Sequence, residues 1–315
     1  MIYIGLFLLS VLLTYAIKSY ANKKAIFDIP NERSSHSTPT PRGGGLAIII
    51  VFYFGLFYFK EGLDSRLFYA LFCAAPIALI SLMDDIFALS SRIRFFVQSV
   101  SAVMALYILG GVTSIDFIVF ELHGWWLNIV AFIAMIWLTN LYNFLDGIDG
   151  YAGSEAVVVG LGLSLFFYNP LGLVIVAACL GFLLFNWHKA SIFMGDVGSA
   201  TLGFIFAVFV FYDTGHGNIY IWLILLSLFW FDATLTLVRR YRNGETITKA
   251  HKKHAYQRLI QSGWSHDKVV WSSLVFNLIF FVLLYFVENV LIVFMLNIIA
   301  LYALMKLIDT KKSFI

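Results

Sequence analysis

Charged residues are scarce in this chain: Asp, Glu, Lys and Arg form 12% of its 315 residues, whereas hydrophobic residues form 61%. Only two cysteines occur, Cys73 and Cys179, and both lie inside apolar runs. This placement argues against a disulfide framework or a cysteine-based metal site. The chain as a whole is rich in aromatic residues (18%) and in long apolar runs. Such a composition predicts an all-α, polytopic membrane protein that is surrounded by lipid and has no nucleic-acid partner.

The apolar runs predict about eleven membrane-spanning helices, with ten as the lower count. Helices are expected because lipid offers backbone groups no other hydrogen-bond partner. The first run lacks a basic leader and a small-residue cleavage site, so it is expected to be retained as a helix. The predicted spans are 1–20, 44–60, 66–83, 95–112, 125–142, 154–168, 171–186, 199–212, 218–238, 268–287 and 290–307.

Basic residues are distributed unequally between the connecting loops. When the loops are assigned alternately to two sides, one side receives 19 of the 21 Lys and Arg residues. The positive-inside rule makes that side cytoplasmic, with the N-terminus outside and the C-terminus inside. We therefore expect one integral membrane domain, 1–315. Its cytoplasmic loops are predicted at 21–44, 84–94, 140–154, 186–199 and 239–268.

Acidic residues gather at the predicted cytoplasmic ends of the spans. Asp84 and Asp85 follow the third span, Asp146 and Asp149 follow the fifth, and Asp196 precedes the eighth. A carboxylate beside a bilayer is costly and usually functional. Carboxylates that converge can hold a hard cation such as Mg²⁺, which at a membrane surface suggests phosphate chemistry on a lipid.

The segment from Asn140 to Gly150 is the most specific of these signals. It holds two Asn, two Asp and two Gly in eleven residues. Asp146 and Asp149 are three residues apart and would face the same way on a helical turn. Gly147 and Gly150 leave space for the phosphates or the base of a nucleotide.

Several other residues have both a functional and a plain interpretation. Arg92 and Arg94 either anchor the chain at the cytoplasmic surface or bind a phosphate. Phe193 either anchors its loop at the interface or stacks on a base. His251 and His254 lack a third soft ligand nearby, so phosphate binding or a basic surface helix is favoured over zinc.

Three residues in the last third of the chain, Asp232, His254 and Arg258, also leave alternatives open. Asp232, deeper in the ninth span, either pairs structurally with a basic neighbour or supports a site from behind. His254 and Arg258 are four residues apart and would share a helix face, where they could hold a diphosphate. The plain alternative for them is a solvated basic face.

Four motifs, taken in order, carry a resemblance to a known family. They read D-x-P-N-x-R-x-x-H…P-x-G-G (28–44), DD-x₃-L (84–89), N-x₂-D-G-x-D-G (143–150) and F-M-G-D-x-G-S (193–199). This set resembles the polyprenyl-phosphate N-acetylhexosamine-1-phosphate transferases. The peptidoglycan branch of that family carries consecutive histidines, whereas His251 and His254 are separated here. The chain therefore resembles the branch that initiates O-antigen and lipopolysaccharide synthesis more than phospho-MurNAc-pentapeptide translocase.

The resemblance implies transfer of HexNAc-1-phosphate, carrying GlcNAc or a 6-deoxy HexNAc, from a UDP-sugar to undecaprenyl phosphate with release of UMP. It implies Mg²⁺ as cofactor, with Mn²⁺ as an alternative, and leaves a homodimer open. By the resemblance, Asp84, Asp85 and Asp196 are catalytic, and Asp196 and Asp85 hold the metal. With the basic residues considered above, the expected substrate-binding residues are Asn143, Asp146, Asp149, Asn186, Phe193, Arg94, His251, His254 and Arg258.

Three rival functions remain at the level of sequence. Phospho-MurNAc-pentapeptide translocase would use the same motifs on a different donor. A lipid phosphatase would use the same metal with water as the nucleophile. An ion-coupled transporter would place its carboxylates near mid-span and contain inverted repeats, whereas the acids here lie at span ends.

Overall fold

The computed structural model describes residues 1–30, 38–87, 89–215, 217–247, 249 and 251–314. The predicted contribution of 31–37 to the first motif lies outside these ranges. Two short antiparallel sheets occur in the described part: β1 (Phe27–Asp28) with β2 (Thr40–Pro41), and β3 (Ser114–Asp116) with β4 (Glu121–His123). The described helices are α1 (Ile2–Lys24), α2 (Gly45–Tyr58), α3 (Ser65–Phe72), α4 (Ala75–Phe87), α5 (Ser91–Leu109), α6 (Leu127–Phe144), α7 (Tyr151–Phe166), α8 (Leu171–Asn186), α9 (Asp196–Tyr212), α10 (Asn218–Leu225), α11 (Ser227–Arg242), α12 (Ala255–Gln261), α13 (His266–Phe286) and α14 (Val290–Lys311).

The helices confirm an all-α, multi-pass membrane protein. Within the described ranges, six helical segments are long and apolar enough to cross a bilayer, one of them being α3 and α4 taken together. The pair α10 and α11, bent by 76°, would make a seventh. Helices α2, α7, α8 and α9 are apolar but shorter, with 14 to 17 residues. Each predicted span falls on a helix or on two consecutive helices, but length and composition identify seven candidate spans at most, not eleven.

Helix α9 lies at the centre of the helix bundle. Every residue from Val197 to Phe211 is buried, and α9 packs against α2, α4 and α6. A helix enclosed on all sides needs apolar side chains on all sides, which explains the unbroken apolar run. The burial of α9 fixes the position of Asp196, its first residue.

The two ends of the bundle differ in character. At one end, the β3–β4 hairpin meets the loop before α10, because the Asp116 amide donates to the Thr214 carbonyl at 3.1 Å. Tyr220 of α10 also donates its hydroxyl to the Phe117 carbonyl at 3.2 Å. At the other end, the last residues of α4, α6 and α8 meet the first residues of α2, α7 and α9, and nearly all the acidic motif residues lie there.

Glycines at the start of α2 permit a backbone contact that shapes this second end. The amides of Gly44 and Gly45 donate to the carbonyls of Phe193 and Met194 at 2.9 and 2.8 Å. A Cβ atom on Gly45 would overlap the backbone of Gly198 in α9. The small size of these residues therefore lets α2 hold the segment that leads into α9.

Helix α12 is held at both of its ends by acidic residues from other helices. At its start, both carboxylate oxygens of Asp232 accept the Ala255 amide at 2.9 Å. Near its other end, the guanidinium of Arg258 donates to Asp309 at 2.5 Å. Asp309 also accepts two hydrogen bonds from Arg239, at 2.9 and 3.0 Å. These contacts support the structural interpretation of Asp232.

The Gly45–Gly198 contact predicts a stability effect. Gly45→Ala should lower the thermal unfolding midpoint by several degrees, because overpacking of a close backbone contact typically costs ~1–3 kcal/mol. The matched control is Gly5→Ala in α1, where an added Cβ meets nothing within 4 Å. The control should leave the midpoint unchanged or raise it. Equal midpoints for both variants would contradict the close contact.

The pair of Arg258 and Asp309 predicts an energetic coupling. Because Arg258 is 2% exposed, Arg258→Ala and Asp309→Ala should each destabilise the protein, and the double variant should lose less than the sum. A coupling of about 0.5–3 kcal/mol is expected in a double-mutant cycle measured by unfolding. Arg242→Ala, at the exposed end of α11, serves as the control. Strictly additive losses would show that the two side chains act independently.

Candidate active site

A cleft of about 380 Å³ opens at the acidic end of the bundle. It gathers eight of the residues that sequence predicted: Asp85, Asn143, Asp146, Asp149, Asn186, Phe193, Asp196 and His251. These residues come from four separate loops or helix ends of the described chain, so the cleft is assembled by the tertiary fold and not by one motif.

The carboxylate of Asp85 caps α9. This side chain, at the end of α4, is 4% exposed, and its two oxygens accept the amides of Asp196 and Val197 at 3.2 and 3.3 Å. The first amides of a helix have no partner within the helix, and the helix dipole favours a negative charge there. Gly195 permits the approach: its φ is +75°, and a Cβ would lie 2.5 Å from an Asp85 oxygen. The Gly195–Asp196 pair of the motif thus has a geometric reason.

Arg94 joins two predicted catalytic carboxylates. Its Nη1 atom lies 2.8 Å from Asp84 Oδ2 and 2.6 Å from Asp196 Oδ2. The other oxygen of Asp84 accepts the Leu89 amide at 2.6 Å. The contacts bring the predicted residues Asp84, Arg94 and Asp196 together, with the arginine between the two acids.

Asn143 and Asp146 extend the polar wall of the cleft from the end of α6. Asn143 donates to the Ser199 hydroxyl at 3.0 Å, and Ser199 donates to the Gly195 carbonyl at 3.1 Å. Burial raises the pKa of Asp146 well above its usual range, and the negative charges of Asp196 and Asp85 add to the effect. Several carboxylates therefore compete to be ionised in one small volume.

Asp149 lies in a different environment although it is only three residues from Asp146. Its Oδ2 atom lies 2.9 Å from His188 Nδ1 and 3.2 Å from His266 Nδ1. The Ala190 amide also donates to this oxygen at 3.2 Å. Burial alone would raise the pKa of Asp149, but hydrogen bonds from His266 and His188 lower it below the usual value. Asp149 is thus held in its ionised form.

Asn186 and Phe193 are positioned by backbone contacts. Asn186 is 4% exposed, accepts the Gly150 amide at 3.0 Å and donates to the Ile192 carbonyl at 2.9 Å, so it braces two of the site loops. Phe193 donates its amide to the Pro41 carbonyl at 2.8 Å. The Phe193 ring is partly exposed and lines the cleft.

The basic loop contributes less to the cleft than the sequence suggested. His251 lines it, and burial lowers the pKa of His251 to about 4, with the positive surroundings of His254 and Arg240 adding to the effect. This imidazole is neutral at neutral pH and cannot offer a positive charge to a phosphate.

The predicted pairing of His254 and Arg258 around a diphosphate stays a prediction, and the structure gives each of the two residues a neighbour within the protein. Neither residue is among those that line the cleft. His254 is 4% exposed and lies 3.6 Å from Asp232. Arg258 is held by Asp309 and by the Lys312 carbonyl at 3.0 Å. Sequence spacing suggested a shared helix face, but His254 precedes α12 and Arg258 turns toward α14.

The cleft also contains residues that sequence reasoning did not assign to the site. Arg42 directly precedes the predicted glycines, so its neighbourhood was a usable signal. No sequence signal pointed to His188, Tyr256 and His266, because only tertiary contacts bring these residues to the cleft. The unassigned residues with polar side chains that line or adjoin the cleft are Asp28, Arg42, His188, Ser199, Tyr256, Gln257 and His266.

The carboxylates around Asp196 fit a hard divalent cation. Asp85, Asp146 and Asp196 offer only oxygen atoms, which suits Mg²⁺ or Mn²⁺ better than softer ions. Burial raises the pKa of Asp146 and repulsion from Asp196 and Asp85 adds to the effect; a cation among these carboxylates would relieve that repulsion. The donor atoms of these side chains are thus of the type that the ion implied by the family resemblance prefers, and binding of that ion stays a prediction.

Comparisons with known proteins place these features in a family. The profile of glycosyl transferase family 4 matches residues 67–213. A Bacillus subtilis (strain 168) protein, the probable undecaprenyl-phosphate N-acetylglucosaminyl 1-phosphate transferase, is 32% identical over 82% of this chain and 76% of its own. Decaprenyl-phosphate N-acetylglucosaminephosphotransferase of Mycobacterium leprae is 30% identical over 79% of this chain and 74% of its own.

A third relative is undecaprenyl-phosphate alpha-N-acetylglucosaminyl 1-phosphate transferase of Escherichia coli K12, which is 28% identical over 83% of this chain and 76% of its own. The profile match includes Asp84, Asp85 and the motifs through Ser199. The similarity of these relatives extends well beyond that region, over about four fifths of the chain. The chain belongs to glycosyl transferase family 4.

Proposed function

We propose that this chain transfers N-acetylhexosamine 1-phosphate, with GlcNAc as the favoured sugar, from a UDP-sugar to undecaprenyl phosphate. The relatives are named as undecaprenyl-phosphate N-acetylglucosaminyl 1-phosphate transferases, which supports undecaprenyl phosphate as the acceptor and GlcNAc as the sugar. The single observation that carries the proposal is the convergence of Asp85, Asp146 and Asp196 on one cleft at the end of an apolar helix bundle, with Asp84 joined to Asp196 through Arg94. The product would initiate an O-antigen or a related envelope glycan.

In the proposed reaction, an oxygen of the lipid phosphate forms a bond to the phosphorus that carries the sugar. The phosphoanhydride bond to UMP breaks, and UMP leaves with that electron pair. A phosphate monoester is largely ionised at neutral pH, so direct attack needs no strong base. Asp84, held by Arg94 and by the Leu89 amide, is suited to orient the acceptor phosphate or to take its remaining proton.

The other residues of the chain would bind and orient the donor. Arg42 lines the cleft beside Asp85 and supplies positive charge toward a diphosphate. Phe193 offers a ring face to the uracil, and Asn143 a polar group beside it. Bound Mg²⁺, held by Asp196 and Asp85, would neutralise charge on the diphosphate, which is the main demand of phosphoryl transfer.

The proposal includes a membrane arrangement. The four shorter apolar helices and the bent pair of α10 and α11 would complete eleven membrane segments, with the N-terminus outside and the cleft in the cytoplasm of a bacterium. The uneven distribution of Lys and Arg supports this orientation. The β3–β4 hairpin and the cleft lie at opposite ends of the bundle, as expected if they face opposite sides of the membrane.

Asp196 is the first residue to test. Asp196→Asn should reduce UMP release by at least ~10²–10³-fold, the loss typical of removing one preorganised electrostatic group. The assay uses purified protein with UDP-GlcNAc, undecaprenyl phosphate and Mg²⁺, and unfolding is measured in parallel. Asp213→Asn, in the loop after α9, is the control and should keep full activity. Near-normal Mg²⁺-dependent turnover by Asp196→Asn would contradict the assignment of Asp196 as a metal ligand. UMP release by the unmodified protein without the lipid would indicate hydrolysis of the UDP-sugar instead of transfer.

Phe193 tests the donor side of the cleft. Stacking on a base is worth ~1–3 kcal/mol, so Phe193→Ala should raise KM for the UDP-sugar about 5- to 150-fold while KM for the lipid stays nearly constant. Phe120→Ala, an exposed ring in the hairpin at the other end of the bundle, is the control. A parallel rise in both KM values would indicate collapse of the loop and not loss of stacking.

A further inference from the structure

Two imidazoles and one carboxylate converge on one side of the cleft. Asp149 follows α6, His188 follows α8, and His266 begins α13, so three separate segments supply the three groups. Their potential ligand atoms all lie within 4.8 Å of one another. No motif in the sequence joins these residues, and the chemistry proposed above does not use the two histidines.

The cluster is closed on the protein side and open on the other. Asp149 is 7% exposed and His266 is 8% exposed, whereas His188 is exposed. Asp149 and His266 both line the cleft. Three protein groups with one open side are the arrangement of metal sites that keep a coordination position for an exchangeable ligand.

The spacing of the cluster suits a small divalent ion. Bonds of ~2.0–2.1 Å in tetrahedral geometry place neighbouring ligand atoms ~3.3 Å apart. The distances from Asp149 Oδ2 to His188 Nδ1 and to His266 Nδ1 are 2.9 and 3.2 Å. Shifts of a few tenths of an ångström would bring both to the tetrahedral value.

His266 Nδ1 lies near two groups of Asp149, and the protonation state of this nitrogen decides which of them it bonds. The Asp149 amide donates to His266 Nδ1 at 3.2 Å, which requires a lone pair on that nitrogen. The same nitrogen lies 3.2 Å from Asp149 Oδ2, a contact that is attractive only if the nitrogen carries a proton. A lone pair that faces a carboxylate is the arrangement that a cation between them stabilises.

We propose that Asp149, His188 and His266 form a binding site for a divalent transition-metal ion, separate from the oxygen-only cluster around Asp196. Two imidazoles select an ion such as Zn²⁺ or Co²⁺ over Mg²⁺. The ion would lie at the cleft wall, and its open position would face the cleft, where an anionic oxygen could bind. Only this last statement about an anionic ligand rests on the proposed function; metal binding does not.

Co²⁺ is the probe for a direct test on the whole protein in detergent. The protein is titrated with Co²⁺ in the presence of excess Mg²⁺, which occupies sites made of oxygen alone. We expect saturable binding of one Co²⁺ per chain, with visible absorption typical of nitrogen ligands in a four-coordinate site, and displacement by Zn²⁺. An absence of saturable binding by the unmodified chain would overturn the proposal without any variant.

Variants then assign the ligands. His188→Ala and His266→Ala should each weaken Co²⁺ binding at least ~10-fold, because each removes one of three protein ligands. His188→Gln keeps a hydrogen-bonding group beside Asp149 but is a poor metal ligand, so it should lose binding while the protein stays folded. His123→Ala, at the hairpin of the opposite end, should bind Co²⁺ normally.

Asp196→Asn separates this proposal from the proposed function. It should lose transferase activity but retain Co²⁺ binding, whereas His188→Gln should lose Co²⁺ binding. If the Co²⁺ signal survives in both histidine variants, or disappears in Asp196→Asn, the ion binds elsewhere and the assignment is wrong. A Zn²⁺-induced rise in the unfolding midpoint, present in the unmodified chain and absent in His188→Gln, is the second measurement.

Discussion

The contact between the Asp85 carboxylate and the first amides of α9 determines much of this structure. A buried carboxylate is costly unless hydrogen bonds satisfy it, and the amides of Asp196 and Val197 provide them. The contact ties the end of α4 to the start of the most enclosed helix of the bundle. It also requires Gly195, since any side chain there would meet the Asp85 oxygens. One interaction thus brings two predicted catalytic acids, Asp85 and Asp196, to the wall of one cleft.

The second support of the cleft is a set of backbone contacts that only small residues allow. The amides of Gly44 and Gly45 donate hydrogen bonds to the carbonyls of Phe193 and Met194. Phe193 and Met194 directly precede Gly195. The cleft wall is therefore backbone hydrogen-bonded to one helix and capped by another. A wall fixed in this way can present Phe193 and Asp196 at defined positions, which phosphoryl transfer requires because its catalysis is largely positioning and charge neutralisation.

Sequence predicted what depends on local pattern and missed what depends on distant partners. The apolar runs located the helices because a lipid-embedded segment must be both helical and apolar. The sequence also predicted α2 and α7 to α9 as spans, but these helices are shorter than the length that identifies a candidate span. The acidic motifs singled out Asp85 and Asp196 from the residues next to each of them, and the structure places both in the cleft. Arg258 was assigned to a diphosphate because its partner, Asp309, is 51 residues away. His188 and His266 were missed for the same reason: nothing in their neighbouring residues reveals that they meet at Asp149.

The two halves of the cleft shift the pKa of their carboxylates in opposite directions. Burial and neighbouring charges raise the pKa of Asp146, whereas hydrogen bonds from His266 and His188 outweigh burial and lower the pKa of Asp149. By linkage, Asp149 contributes stability above its unfolded pKa, and this is lost as pH falls through the folded value. Asp146 favours the folded state only when protonated, and that contribution is lost as pH rises through its folded pKa. A cation beside Asp146 would reverse its preference, so the acidic half of the cleft is poised to gain stability from binding a metal. Two aspartates three residues apart thus lie in opposite electrostatic environments within one cleft.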